Sequence, residues 1–249
     1  MRLPLVCCIT KTFVHARWQL KPMRTNSERM APPQVAEWRI ALGYFTRILS
    51  KDEESPSFVE LAQLLQDQHP QFKLVIEEGA EDEWETLLLA SRDDVEVALI
   101  ERNPVFDGSI GQDQIAEFIE DTEDCRPVSG VEWLHEYLGE VKTIYVFQPL
   151  QGSDTEEGSD ALHALRSALW ERSDAIIQAD GEGFTNEEGF HIVWQFSDSV
   201  SGPWNMGVYQ DDLWHHFKMD LGDPDHRAAF LNGEVPDDLT AEVASDPQV

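Results

Sequence analysis

The largest set of potential ligand side chains lies in one acidic, glycine-rich turn, Asp180 to Gly189. Its oxygen donors are Asp180, Glu182, Asn186, Glu187 and Glu188. Carboxylate and amide oxygens bind hard cations such as calcium, and glycines allow the tight turns of such loops. The calcium-loop pattern is not met, because its third, fifth and twelfth positions are Glu182, Phe184 and His191. A hairpin loop with solvated charges is therefore favoured over a cation site, and we expect no metal and no cofactor.

A second candidate site combines histidines and carboxylates near the end of the chain: Trp214, His215, His216, Asp220, Asp223, Asp225 and His226. Such side chains ligate zinc or iron, but their spacing matches no zinc signature. If 213–221 is a strand, His215 and His216 point to opposite faces and do not share a metal. This pattern places His215 on the apolar face, as a core histidine.

Signatures of nucleophilic or nucleotide chemistry are missing from the sequence. Cys125 follows two acidic residues that disfavour its thiolate, and neither a G-x-S-x-G elbow nor a Walker A loop is present. Glu101, at the end of an apolar strand, is the best candidate for a buried carboxylate, although an ion pair with a neighbouring arginine is the favoured interpretation. Trp204, in a Pro-Trp pair between strands, is predicted either to contact a partner or to be buried.

The helices that would position these residues are marked by apolar spacing and by capping residues. Steps of three and four from Val35 to Leu49 predict a first helix after Pro32 and Pro33. Further helices are predicted from the caps Ser57, Ser109 and Ser129, from Leu162, Leu165 and Leu169, and near Asp225 to Leu231.

Short apolar or β-branched runs predict strands at 72–76, 84–90, 95–100, 143–147, 175–179, 191–196, 204–209 and 213–221. The expected class is α+β, with antiparallel sheets and helices packed on one side. Residues 57–103 and 160–221 share the order helix, strand, acidic turn, strands. This order fits two related helix-plus-meander halves, although the same order is common in unrelated α+β proteins, and the second interpretation is favoured.

The charge is strongly negative and unevenly distributed. Asp and Glu number 48 against 18 Lys and Arg, a formal net charge of −30, while residues 1–30 carry six basic residues and one acidic residue. We expect 1–30 to be a separate basic leader, 31–235 the globular domain and 236–249 a polar tail. Negative charge disfavours nucleic acid and anionic membranes, and no apolar run is long enough to span a bilayer. One cysteine beyond the leader argues for a reducing, cytoplasmic setting.

These observations favour a non-enzymatic interaction protein, such as an inhibitor, adaptor or immunity-type protein, that binds a basic protein partner. Its candidate binding residues are Asp180, Glu182, Asn186, Glu187 and Trp204. The alternative is a metal- or carboxylate-dependent hydrolase with a site near the Asp180–Gly189 turn, where Asp180, Glu182, His191, His215 or Glu101 would converge.

Overall fold

The computed structural model describes residues 44–243. Within this range the strands are β1 (Thr46–Ser50), β2 (Phe72–Gly79), β3 (Trp84–Ser91), β4 (Glu96–Pro104), β5 (Thr143–Pro149), β6 (Ile176–Ala179), β7 (Gly183–Thr185), β8 (Pro203–Gln210), β9 (Leu213–Asp220) and β10 (Glu242–Val243). The helices are α1 (Phe58–Gln68), α2 (Ile110–Thr122), α3 (Val128–Leu138), α4 (Glu156–Glu171) and α5 (Pro224–Leu231), with a 3-10 turn at Gln151–Asp154. The α+β class predicted from the sequence is confirmed.

Seven strands form one antiparallel sheet in the order β2-β3-β4-β5-β1-β6-β7. Strand β1 lies inside this sheet, between β5 and β6. Its residues Ile48 and Leu49 are both fully buried, although they point to opposite faces. The predicted helix over 35–49 is therefore wrong at its end, where a doubly covered strand shows an apolar pattern that also fits a helical face. The earlier part of that segment lies outside the described residues.

Helices cover both faces of the large sheet. On one face Ile48 packs with Leu61 of α1 and Leu165 of α4. On the other face Leu49 packs with Ile115 of α2 and Leu134 of α3. The expectation that the helices lie on one side is therefore corrected: the central strands are apolar on both faces, and each face needs its own cover.

The remaining strands form a second antiparallel sheet in the order β10-β9-β8. Its core contains Met206, Phe217 and Phe230 of α5. The backbone of His191 bridges the two sheets, because it pairs with Thr185 of β7 on one side and with Met206 of β8 on the other. Its N–H donates to Asn205 O, and its carbonyl accepts from Gly207 N.

Several local predictions can be compared with these elements. The capping box of Ser57 and Glu60 is present at α1, and Ser109 caps α2. Ser129 does not cap α3, which starts after Pro127 without a side-chain cap. The predicted strand over 191–196 is reduced to the bridge at His191. The predicted second meander is split, because β6 and β7 belong to the large sheet while β8 and β9 form the small one.

No helix between residues 44 and 243 has the length and apolar character needed to cross a bilayer. The basic segment 1–30 and the last residues, 244–249, lie outside the described residues. The division into leader, domain and tail therefore stays a prediction.

Candidate functional site

A cleft of about 270 Å³ opens where α4 overhangs the outer strands β6 and β7. Four residues of α4 form one wall, and their spacing of three, four and seven puts them on one helical face: His163, Arg166, Ser167 and Trp170. The floor is made of Ile177 and of the smaller residues Thr46, Ala179, Gly183 and Thr185. Across the sheet Thr46 pairs with Ala179, and Ala179 pairs with Gly183, so small residues stand side by side. The absence of long side chains in this row leaves the space open.

The predicted Asp180–Gly189 turn forms the other wall of the cleft. Glu182, Gly183 and Gly189 all line it. Gly189 has a φ of 83°, and a Cβ added there would lie 3.2 Å from Cη2 of Trp170. A side chain at this position would be strained by its backbone angle and would press on the indole, so glycine sets the width of the cleft at this end.

Arg166 supplies the positive charge of the cleft. Its Nη2 donates to Nδ1 of His163 at 3.1 Å, and within the described chain no carboxylate oxygen lies within 4.0 Å of its guanidinium. Burial lowers the pKa of Arg166, while Glu182, and Tyr44 when it is ionised at high pH, act in the opposite direction. A guanidinium that is partly desolvated and lacks a carboxylate partner favours a bound anion.

Glu182 supplies the negative charge, from the turn between β6 and β7. It lies near the hydroxyl of Tyr44. Burial raises the pKa of Tyr44, and its interaction with the Glu182 carboxylate raises it further. The phenol therefore stays protonated. Arg166 and Glu182 influence each other electrostatically, yet they do not form a direct ion pair.

His191 lies at the inner end of the cleft and is only 6% exposed. The indole Nε1 of Trp204 donates to its Nδ1 at 2.8 Å. Because an indole N–H only donates, Nδ1 is the acceptor and the neutral ring carries its proton on Nε2. That buried Nε2 has no hydrogen-bond partner. Burial lowers the pKa of His191 to about 4, so the ring is neutral at physiological pH.

Two of the predicted binding residues serve the fold. Asp180 is paired with Arg47 at 2.6 Å and accepts from the backbone N–H of Phe45, so it fixes the start of β1. Asn186 is fully buried, and its Oδ1 accepts from the N–H groups of Glu188 and Phe190. Its Nδ2 therefore donates to Nε2 of His216, at 2.9 Å. Neither residue lines the cleft.

Glu187 and Trp204 also lie outside the cleft. Burial raises the pKa of Glu187, with smaller contributions in the same direction from Asp174 and Glu188. Trp204 is half-buried and turned inward, since it donates to His191 and packs edge-on against Phe196. Of the five predicted binding residues, only Glu182 lines the cleft.

The histidine pair is arranged differently from the prediction. His216, rather than His215, is the buried one; it stacks on Phe190 with ring centroids 3.8 Å apart. Burial lowers the pKa of His216, and the nearby Glu188 opposes this shift. The predicted alternation along β9 is present, since Phe217, Met219 and Leu221 share one buried face. The assignment of His215 to the core is wrong, because the opposite face is also covered at Trp214 and His216, which turn toward the large-sheet side of the molecule.

Among the residues proposed for a hydrolase, the cleft brings together Glu182 and His191, whereas Asp180, His215 and Glu101 do not line it. Burial raises the pKa of Glu101, the negative charge of Glu78 adds to this, and Arg47 opposes it. No group of three metal-ligating side chains that could hold an ion occurs in the part of the chain that the structure describes.

A second depression, of about 540 Å³, lies between the start of α3 and the residues after α5. Its charged residues Arg126 and Glu132 are exposed, and no buried polar atom without a partner lines it. The smaller cleft is therefore the stronger candidate for a ligand site.

The α2 region forms a surface of a different kind. Between Val105 and Asp124 the chain carries seven carboxylates and no Lys, Arg or His; the acidic residues are Asp107, Asp113, Glu117, Glu120, Asp121, Glu123 and Asp124. Within it Phe106 is 63% exposed and Ile110 is 49% exposed, on either side of the cap Ser109. We refer to Phe106, Ile110 and these carboxylates as the α2 surface.

Arg166 and Trp170 are not among the site residues predicted from the sequence. A signal was present: Trp170 stands seven residues after His163 and four after Arg166, on the side of α4 that Leu162, Leu165 and Leu169 do not fill. A large apolar side chain one turn after an arginine, on the polar side of an amphipathic helix, is a signal of a possible binding site that the sequence contains.

No protein-family model, curated protein or solved structure matches this chain. The chain is therefore assigned to no family, and its function rests on the geometry of these two regions.

Proposed function

We propose that this chain is a protein-interaction module that binds a basic partner protein through the α2 surface. The observation that carries the proposal is the exposure of Phe106 and Ile110 within a stretch of seven carboxylates that contains no cation. Exposure of large apolar side chains to water is unfavourable. Burial of a phenylalanine by a partner would stabilise the complex by about 2 kcal/mol.

The carboxylates that follow these apolar residues along the chain indicate the chemistry of the partner. Negative charge repels acidic proteins and nucleic acid and accelerates the approach of a positively charged surface. Protein interfaces usually combine an apolar core with a polar rim. A partner with an apolar pocket bordered by Lys or Arg would complement both features.

Capture experiments with the full chain as bait test this proposal. Proteins captured at about 0.1 M salt and released at about 1 M salt are expected, because the carboxylates act through screened charge. The double variant Phe106→Ser/Ile110→Ser should release the same proteins at low salt. Val59→Ser is the matched control: Val59 is 59% exposed on α1 and lies outside the α2 surface.

Capture that the double variant leaves unchanged would contradict the proposal. So would a captured set that consists of acidic proteins or that persists at high salt. A direct binding measurement on one captured protein, with wild type and both variants, would then give the affinity that the apolar pair contributes.

A further inference from the structure

We propose that the cleft between α4 and the β6–β7 hairpin binds a small zwitterion of the α-amino-acid type, with its carboxylate on Arg166 and its ammonium group on Glu182. This site is separate from the α2 surface, and the two proposals are tested independently.

The first argument is the presence of two opposite charges that line one cleft without touching. Arg166 comes from α4 and Glu182 comes from the turn after β6, and the two side chains make no ion pair. A partly buried ion pair that forms directly would leave no need for a ligand. Separated partners instead leave each charge incompletely compensated, and a molecule that carries both charges satisfies both at once.

The second argument is the net charge of the protein. A formal charge of −30 repels anions at long range, so phosphates and dicarboxylates would be disfavoured before they reach Arg166. An amino acid has no net charge at neutral pH and avoids this repulsion. A simple cation would be attracted by Glu182 but repelled by Arg166.

The third argument concerns the rest of the lining. Trp170, Ile177 and Ala179 provide an apolar wall suited to a hydrocarbon or aromatic side chain. His191 also lines the cleft, and its buried Nε2–H has no acceptor among the described residues. The volume of about 270 Å³ lies just below the usual range for pockets that bind drug-sized ligands. The cleft therefore fits a smaller molecule, of the size of a single amino acid.

Titration calorimetry on the full chain tests the site with L-leucine and L-phenylalanine as probes. Two analogues of leucine separate the charges: 3-methylbutylamine lacks the carboxylate, and 4-methylpentanoate lacks the amine. Saturable binding of at least one amino acid is expected below about 10 mM, and each analogue of leucine should bind at least about tenfold more weakly than leucine.

Two variants assign the charges to residues. Arg166→Met and Glu182→Gln should each weaken amino-acid binding by about tenfold or more, since each leaves one ligand charge without its partner. Arg172→Met is the matched control, because Arg172 follows α4 directly, pairs with Glu60 and does not line the cleft. Thermal unfolding of each variant without ligand checks that the fold is retained.

Lack of saturable binding by either amino acid overturns the proposal, as does binding that Arg166→Met leaves unchanged. Equal affinity for leucine and 4-methylpentanoate would overturn the assignment to a zwitterion and would indicate a carboxylate site. None of these results bears on the α2 surface, because the capture experiments there use variants far from the cleft in sequence and in fold.

Discussion

Two segments of the chain share an order of elements but enclose different interiors. Helix α1 is followed by β2, β3 and β4, which have eight, eight and nine residues and lie side by side in the large sheet. Helix α4 is followed by β6 and β7, which have only four and three residues, and then by β8 and β9 in the small sheet. Side chains fill the space between α1 and its strands, whereas the second segment contains the cleft.

Side-chain size explains this difference. Under α1 the space is filled by Trp84, Leu87 and Leu89, all fully buried. Beside α4 the corresponding floor carries Ala179, Gly183 and Thr185, and the tryptophan belongs to the helix, where it stays half-exposed. The order of elements therefore does not determine whether the space between a helix and its strands is filled. Strand length and the volume of a few side chains decide it.

The largest effect is expected from removing the tryptophan that closes the first segment. Trp84→Ala should lower the free energy of unfolding by about 3–5 kcal/mol, because it opens a cavity and leaves the carbonyl of Pro56 without its donor. Trp170→Ala should cost less, about 2–3 kcal/mol, because its ring is partly solvated already, although the carbonyl of Ala175 also loses its donor. Urea unfolding of both variants checks the contrast, and equal losses would contradict it.

A pH-dependent effect is expected from His191, which belongs to the second segment alone. Its pKa is lowered from 6.5 to about 4, so the unfolded chain takes up the proton first as the pH falls. The stability that comes from the neutral ring is complete above about pH 6.5 and is lost between about pH 6.5 and pH 4, up to about 3 kcal/mol.

Urea unfolding of wild type and His191→Gln, followed from about pH 7.5 to about pH 4.5, isolates this contribution. Subtraction of the two curves removes the carboxylates and His216, which titrate in both proteins. The difference should shrink as the pH falls, and a constant difference would show that the imidazole is not buried in its neutral form.

The turns of the two segments should differ in their dependence on a side chain. Asn186→Ala removes three hydrogen bonds from a fully buried amide and should cost about 2–3 kcal/mol. Ser91→Ala removes one exposed bond at the turn between β3 and β4 and should cost less than about 1 kcal/mol. Chemical denaturation of the two variants measures both values, and a larger loss for Ser91→Ala would reverse the comparison.

The smallest expected effects concern the start of the two helices. Ser57 forms a reciprocal capping box with Glu60 at α1. At α4 the Thr155 hydroxyl accepts from Gly158 N and donates to Gly152 O, but Gly158 has no side chain that could return the bond. Ser57→Ala should cost about 1 kcal/mol and Thr155→Ala somewhat less. Thermal unfolding of the two alanine variants, with Ser167→Ala inside α4 as a control away from the cap, resolves the order.

The elements that could be predicted from the sequence are those that depend on residues close together in the chain. The box of Ser57 and Glu60 and the cap Ser109 are as predicted, since capping depends on neighbours within one turn. Prediction failed at 45–49, because a strand covered on both faces has no alternation of period two. It failed again at 191–196, where β-branched and aromatic residues line a loop that contributes one bridge.

The position of the candidate site could be predicted from local composition, but the partners of its side chains could not. The Asp180–Gly189 turn was singled out from its composition, and it forms one wall of the cleft. Which of its side chains face the cleft depends on long-range partners: Arg47 holds Asp180, and His216 holds Asn186. Sequence alone does not reveal these partners, so it gave Asp180 and Asn186 the same weight as Glu182.

The single-residue junction at His191 has a mechanical consequence. The edge of the large sheet and the small sheet share backbone bonds at this one position, so a load applied to the C-terminal strands reaches the large sheet through one backbone bridge and through side-chain contacts such as that of His216 with Asn186. The backbone bridge resists sliding along the strands poorly compared with the five-residue ladder between β1 and β5. Under tension the small sheet should separate from the large one before β1 separates from β5.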